Sequence, residues 1–353
     1  MSKMKAWTIS RVTDENGNKS GVLKLKELDK PVCGDDQVVL KVNCASVCGG
    51  DVESIRFGCF ENHRLIDGGE FGHELAGTIV EKGKDVVGLE IGDRVWPYPT
   101  LCSDPPGVRS GSIGGFSEYV YIEKAKKDYN LFLLNDKISD LAAAMIEPMT
   151  IGWHAGSQTH PAKGKNAVVF GAGFVAVTAA MSLKWHGCEK VAIVGRRKEK
   201  LKICEEMGFN TFSTLDEDWK QQLENYFGKG RSFSGQAINV QCWVEATGGD
   251  TIVEELVPMM TFGARMAIVA THTKPVQFNS AFLTFAELEI VGSAGQGLGF
   301  DAALEVLECL GSKQYEIEKL ATVFKHEDLE AAVHAMKDGK AVKSVIDYTG
   351  KYL

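Results

Sequence analysis

The stretch Asn166 to Ala176, Asn-Ala-Val-Val-Phe-Gly-Ala-Gly-Phe-Val-Ala, restricts the fold of this chain more than any other. Ala167 to Phe170 is a short apolar run, rich in β-branched residues and bounded by asparagine and glycine. It predicts a buried strand. Gly171 and Gly173 make a tight turn. Val175 to Trp185 has helical spacing, no proline, and Gly187 behind it as a stop, so it predicts a helix. Strand, glycine turn and helix together aim free backbone N–H groups at an anion, and the helix N-terminus adds partial positive charge. Ala176 stands at the third place of the G-x-G-x-x-G pattern, a variant the pattern allows. Taken alone, the motif fits a plain strand-to-helix turn as well as a dinucleotide site.

The next segment supplies context. Lys190 to Val194 predicts a second buried strand at the distance where a parallel neighbour belongs. It ends in Gly195-Arg196-Arg197, where an NAD site usually carries an acidic residue for the ribose 2′-hydroxyl. Two guanidinium groups suit a bidentate grip on phosphate. Gly171, Gly173, Phe174 and Val175 are therefore the expected pyrophosphate turn. Gly195, Arg196 and Arg197 are the expected ribose end, with NADP(H) favoured over NAD(H). The other reading of Arg196, Arg197 and Lys198 is the solvated start of a helix.

A chain of 353 residues is long enough for two domains with their own cores. Its net charge of −8 argues against a nucleic-acid partner. There is no run of 18 apolar residues, so no membrane helix is expected. The opening Met-Ser-Lys-Met-Lys-Ala-Trp lacks the apolar stretch of a secretory leader. Nine scattered cysteines, an odd number, do not read as a disulfide framework, and a reducing cytoplasm is the expected setting.

Residues 1–150 read as a β-rich unit. Strands are expected over Gly21–Leu28, Gln37–Val42, Leu75–Val80 and Val95–Trp96, with turns at Asn16-Gly17 and Gly92-Asp93. Pro97 to Gly115 reads as a loop. Cys48, in Cys-Gly-Gly-Asp51, and the adjacent His73 and Glu74 are candidate metal ligands, with Glu147, before Pro148, as a possible fourth. Thiolate, imidazole and carboxylate form a borderline-soft set that suits zinc. Each alone is equally a buried cysteine or a structural histidine. Asp51 is placed to accept the free N–H of the imidazole, or to be a turn residue.

Cys48-Gly-Gly-Asp51, Gly72-His73-Glu74, Glu147-Pro148 and Gly171-Ala-Gly173 occur in the order and spacing of the zinc-dependent medium-chain alcohol dehydrogenases. The chain resembles their sorbitol (polyol) and glucose dehydrogenase branches along essentially its whole length. The resemblance implies an α/β fold: a GroES-like β-rich catalytic domain over 1–150, a Rossmann doubly wound parallel sheet over 151–297, and a return over 298–353 that completes the first domain. Helices over Ile138–Met145 and Thr150–Gln158, strands over Asn239–Glu245, Ala264–Ala270 and Glu289–Gly292, and helices over Phe300–Gly311 and Glu327–Gly339 fit that plan. Thr247 falls in the segment that the family places near the nicotinamide. Lys343 falls in a tail motif whose basic residue approaches the cofactor phosphates. Phe285–Val291 resembles the edge strand through which relatives pair, which implies a homodimer or homotetramer.

The implied chemistry is hydride transfer between NADP(H) and a secondary alcohol or ketone, a polyol or a sugar. Cys48, His73 and Glu74 would hold one catalytic zinc, with Glu147 as an alternating or water-bridged ligand. The family's second, structural zinc needs four cysteines near residues 98–115, where this chain has only Cys102, so one zinc is expected. The family's Ser or Thr two residues after the zinc cysteine is Gly50 here. Glu53 could take the proton through water, bind a substrate hydroxyl, or be plain surface. His63 and His160 have no partner that the sequence identifies, and His154 and Cys44 read as helix and core. Arg56, Arg64 and Arg109 could meet an acidic substrate group or be surface charges. Two other readings stay open: a zinc-free quinone or enone reductase on the same fold, and a non-catalytic NADPH-binding protein.

Overall fold

The structure is a computed structural model describing residues 2–232, 234–297 and 299–353. Its chain forms two compact units, Met1–Glu147 with Leu307–Leu353, and Pro148–Val306. The inserted unit thus begins earlier and ends later than the 151–297 expected from resemblance.

The first unit is mainly strand. β1 (Lys3–Thr13) and β2 (Lys19–Asp29) pair as an antiparallel hairpin around the Asn16-Gly17 turn. β3 (Val38–Ser46) runs longer than its apolar pattern and includes Cys44. Its pairing register with β4 shifts between Val39 and Leu40 and between Val42 and Cys44, as it does at bulges. α1 (Gly49–Phe57) follows, then β4 (Glu74–Lys82), β5 (Arg94–Pro97), β6 (Tyr119–Ile122) and β7 (Leu131–Leu133). Leu40, Leu75, Ile79, Phe71 and Phe116 fill the core of this unit.

α2 (Asp140–Ala143) and α3 (Ile146–Ser157) carry the chain onward. α3 starts four residues before the expected Thr150, because proline is tolerated in a first helical turn. Glu147 is therefore held in a helix, not in a loop ahead of it.

The second unit contains β8 (Ala167–Phe170), α4 (Phe174–Trp185), β9 (Val191–Gly195), α5 (Lys198–Glu206) and β10 (Asn210–Ser213). β11 (Cys242–Glu245), β12 (Arg265–Ile268) and β13 (Glu289–Gly292) complete its sheet. All six strands are parallel, in the order β10-β9-β8-β11-β12-β13. This is the doubly wound arrangement, and its strand order reverses beside β8, where such sheets bind ligands. Phe170 and Trp243 stack across neighbouring strands, with ring centroids 5.9 Å apart. The expected strand over Phe285–Val291 is corrected: Ala281–Ala286 is helical, and Glu287 ends it in the left-handed region at φ +48°. Glu289–Gly292 forms β13, one edge of the sheet.

After this unit, β14 (Ala321–Lys325) and β15 (Lys343–Asp347) join the first sheet, whose order is β14-β15-β3-β4-β5-β7 with β6 also on β3.

Candidate functional site

Strand register assembles the metal-type residues. Ser46 at the end of β3 lies opposite both Glu74, which opens β4, and Val345 of β15. That pairing brings the segment after β3, the start of β4 and the start of β15 to one place. Cys48 then caps α1: its Sγ accepts from Gly50 N–H at 3.4 Å, and its own N–H donates to Asp51 Oδ2 at 2.9 Å, a capping box.

Cys48, His73 and Glu74 converge, each offering a ligand atom within 4.8 Å of the other two. His73 and Glu74 are buried. Glu74 is held at one oxygen only. Ser46 Oγ donates to Glu74 Oε2, and Lys343 Nζ lies 2.6 Å from the same atom. Glu74 Oε1, His73 Nδ1 and Asp51 Oδ1 are buried without a hydrogen-bond partner among the described residues. Each such orphan costs about 1–3 kcal/mol, and a cation held between them would remove that cost for the ligand atoms. The donor set and the orphaned atoms therefore fit a zinc ion.

Burial and mutual charge both shift the titration of these groups. Burial pushes the Cys48 thiol up, and Glu74 adds to it. Burial pulls His73 down, but the charges of Cys48, Asp51 and Glu147 outweigh it and hold the imidazole well above its ordinary range. Burial raises Asp51 to about 6. Glu147 is also raised, by burial first, with Glu74 contributing, and it feels His73 and Lys343. It stands outside the trio, within electrostatic reach of it. The expected bond from His73 to Asp51 is not made.

The tail motif implied Lys343 near the cofactor phosphates; its side chain is 3% exposed, and its Nζ lies against Glu74 Oε2. A buried ammonium needs a counter-charge close by, and Glu74 supplies it. Glu53 is exposed on α1 and makes no hydrogen bond or ion pair among the described residues, although its charge reaches His63. The three arginines do not converge: Arg56 lies over Phe57, Arg64 donates to the Gly107 carbonyl at 2.6 Å, and Arg109 covers the Tyr121 ring. Cys102 is fully buried, with its thiol 3.1 Å from the Tyr98 carbonyl.

In the second unit, a cavity of about 410 Å³ opens where the strand order reverses. Gly171, Gly173, Gly195, Arg196, Arg197 and Thr247 line it. Gly171 takes φ +123°, and a Cβ there would press on the Ala246 carbonyl oxygen at 2.9 Å. A Cβ on Gly173 would meet nothing within 4 Å, so the turn presents bare backbone to open space. Phe174 and Val175 form the first turn of α4 behind it and do not line the cavity. Thr247 donates through both its N–H and its hydroxyl to Glu245.

Lys200 also lines the cavity. Burial, with Arg197 nearby, lowers its pKa. Among the described residues, Arg196, Arg197 and Lys200 have no ion-pair partner within 4 Å. Glu255 lines the same cavity but pairs with Lys220 at 2.7 Å. Lys200 was legible in principle, since it lies three residues after Arg197 at a helix start. Ser46 and His63 carried no comparable signal.

Comparison with known proteins follows the same lines. The family model for the alcohol dehydrogenase GroES-like domain matches residues 34–130, and that for zinc-binding dehydrogenase matches residues 175–312. The chain is 28% identical to sorbitol dehydrogenase of Halalkalibacterium halodurans, over 93% of this chain and 96% of that one. It is 23% identical to L-threonine 3-dehydrogenase of Vibrio parahaemolyticus, over 98% and 100%. The solved structure of 2R,3R-butanediol dehydrogenase from Bacillus subtilis has the same fold, with a TM-score of 0.81 at 22% identity, over 97% of this chain and 99% of that one. With the GroES-like unit, the parallel sheet and the Cys48, His73 and Glu74 trio, the chain is a member of the zinc-dependent medium-chain alcohol dehydrogenase family, in its polyol-dehydrogenase branch.

Proposed function

We infer that this protein is an NADP(H)-preferring dehydrogenase of polyols or related secondary alcohols, with one zinc per chain. The observation that carries this reading is the trio itself, with ligand atoms within 4.8 Å of one another and with Glu74 Oε1 and His73 Nδ1 buried and unpaired. Zinc would polarise the alcohol or carbonyl oxygen, and the nicotinamide would take or give the hydride. Ser46 and Lys343 orient Glu74 so that one oxygen stays available, as outer partners of metal ligands do. Glu147 would serve as the alternating or water-bridged ligand. Glu53 passes the proton to water, meets a substrate hydroxyl, or is plain surface.

The NADP(H) preference rests on Arg196, Arg197 and Lys200 around one cavity, with no carboxylate at the end of β9. The bare turn at Gly171 and Gly173 would receive the pyrophosphate, with Phe174 and Val175 behind it at the start of α4. Thr247, which lines the same cavity, would serve the nicotinamide end. Cys102 has no companion cysteine in residues 98–115, which supports a single zinc. Nine cysteines without a disulfide support a cytoplasmic setting. Among the described residues, no helix is long and apolar enough to cross a membrane. The open edge at Glu289–Gly292 supports pairing into dimers or tetramers.

The test is reduction of NADP⁺ and NAD⁺ against sorbitol, other polyols, aldoses, simple secondary alcohols and L-threonine, with and without a chelator. Chelator-sensitive turnover of a polyol with NADP⁺ is the expected result. Chelator-insensitive turnover would point to the zinc-free reductase, and turnover of L-threonine alone would replace the substrate class.

A further inference from the structure

His63 has no role in the reading above, and position 50 has no side chain. The structure ties the two together. An ideal Cβ on Gly50 would run into Nε2 and Cε1 of the His63 imidazole. The ring fills the space that any other residue at position 50 would need. The same ring lies against His73, with centroids 6.0 Å apart and planes 15° apart. His63 therefore borders the trio at the Cys48 helix start and at the His73 ring.

Its place is fixed by backbone on the far side. His63 closes the short turn Glu61–His63, and Arg64 follows in the left-handed region at φ +51°. Arg64 Nη1 donates to the Gly107 carbonyl at 2.6 Å. A Cβ on Gly111 would run into the His63 carbonyl oxygen, so the 107–111 loop packs directly on this turn. The imidazole itself makes no hydrogen bond to any described residue. A half-buried polar ring, seated from two sides with both nitrogens unused, has hydrogen-bonding capacity left for a ligand.

We propose that His63 is a substrate-contacting, specificity-determining residue: its imidazole hydrogen-bonds the hydroxyl next to the reacting carbon, and Gly50 is glycine because the ring needs that space. The ligand class is a vicinal diol or polyol. His63 stands beside the trio and not in it, so it reaches the neighbouring oxygen. The inference rests on the dehydrogenase reading. A site built to bond a hydroxyl discriminates against the analogue without one, because its own polar group is then left unpaired.

The experiment compares butane-2,3-diol with butan-2-ol in the zinc-loaded enzyme and in His63→Ala, Gly50→Ser and the double variant. Wild type is expected to favour the diol. His63→Ala should lose about tenfold in kcat/KM for the diol and clearly less for butan-2-ol. Gly50→Ser should impair both, and the double variant should exceed Gly50→Ser because the collision is gone. Zinc per chain and NADP⁺ affinity should be the same in His63→Ala and wild type. Equal losses for the two alcohols, or loss of zinc from His63→Ala, would overturn the proposal. If wild type turns over neither alcohol, the dehydrogenase reading fails for this substrate class. The absorption spectrum of the cobalt(II)-substituted protein then decides on His63: a shift with the diol that His63→Ala abolishes supports the contact, and equal behaviour of both proteins refutes it.

Discussion

Lys343 Nζ and Glu74 Oε2 lie 2.6 Å apart, with both side chains almost completely buried. Breaking a buried pair by removing one partner costs about 3–5 kcal/mol, because the other charge is left uncompensated. Lys343→Met should therefore destabilise the metal-free protein by about that amount. A bound cation would neutralise Glu74 in its place, so the loss should be clearly smaller with zinc present. Denaturant unfolding with and without a chelator measures both values; equal losses would separate Lys343 from the metal site.

Removal of a trio member should abolish activity and leave the nucleotide cavity intact, since the two are built in different units. Cys48→Ser and His73→Ala are expected to lose bound zinc and turnover but to keep NADPH affinity. Metal analysis and NADPH fluorescence titration check this. A His73→Ala enzyme that retains both turnover and chelator sensitivity would dismiss the trio.

Arg196 and Arg197 should act on the phosphate that distinguishes the two cofactors. Losing one charge-assisted contact costs about 1.5–3 kcal/mol, roughly ten- to a hundredfold in affinity. Arg196→Ala and Arg197→Ala should weaken NADP⁺ by that factor and change NAD⁺ little. Parallel weakening of both cofactors would mean that the pair serves the cavity only structurally.

The pH response of Asp347 has a definite sign. Burial pushes its carboxyl up, but the N–H and hydroxyl of Thr349 and the N–H of Tyr352 outweigh that and hold it below the usual carboxylate value. A carboxyl depressed in the folded state contributes stability that is complete above its unfolded value of about 3.9 and fades as pH falls through the folded value. Asp347→Asn should cost about 1–3 kcal/mol at pH 7, and its gap to wild type should shrink below about pH 4. Urea unfolding at pH 7 and pH 3 reads the difference.

Glu53→Gln separates the uses left for that exposed carboxylate. A changed pH–rate profile marks proton transfer, and a raised KM marks contact with the substrate. If neither moves, Glu53 is surface.

What was legible followed from local pattern. The run Ala167 to Phe170 and its glycines announced strand, turn and helix, because a parallel strand buried on both faces reads as a continuous apolar stretch. β1 did not announce itself: Ala6, Trp7, Thr8 and Ile9 are all buried, so the alternation of a half-exposed strand is absent. The trio was nameable once the family resemblance was added to residue type and spacing, but its supports were not. Ser46 and Lys343 reach Glu74 through strand register, which depends on the shifts in the pairing of β3 with β4 and on a strand far along the chain. The contact of His63 with Gly50 depends on a loop fold, and nothing in either residue's neighbours specifies it.

The insertion of one unit within the other sets an order of manufacture. A ribosome releases β3, α1 and β4 early, and β15 only after all of Pro148–Val306 has emerged. At about 5–20 residues per second, Glu74 waits on the order of ten seconds to a minute for Lys343. During that interval the β3 edge that β15 will cover stays open to unwanted strands, while the inserted unit, being continuous, can fold. A cation arriving early would shield Glu74 in the nascent chain until Lys343 takes its place.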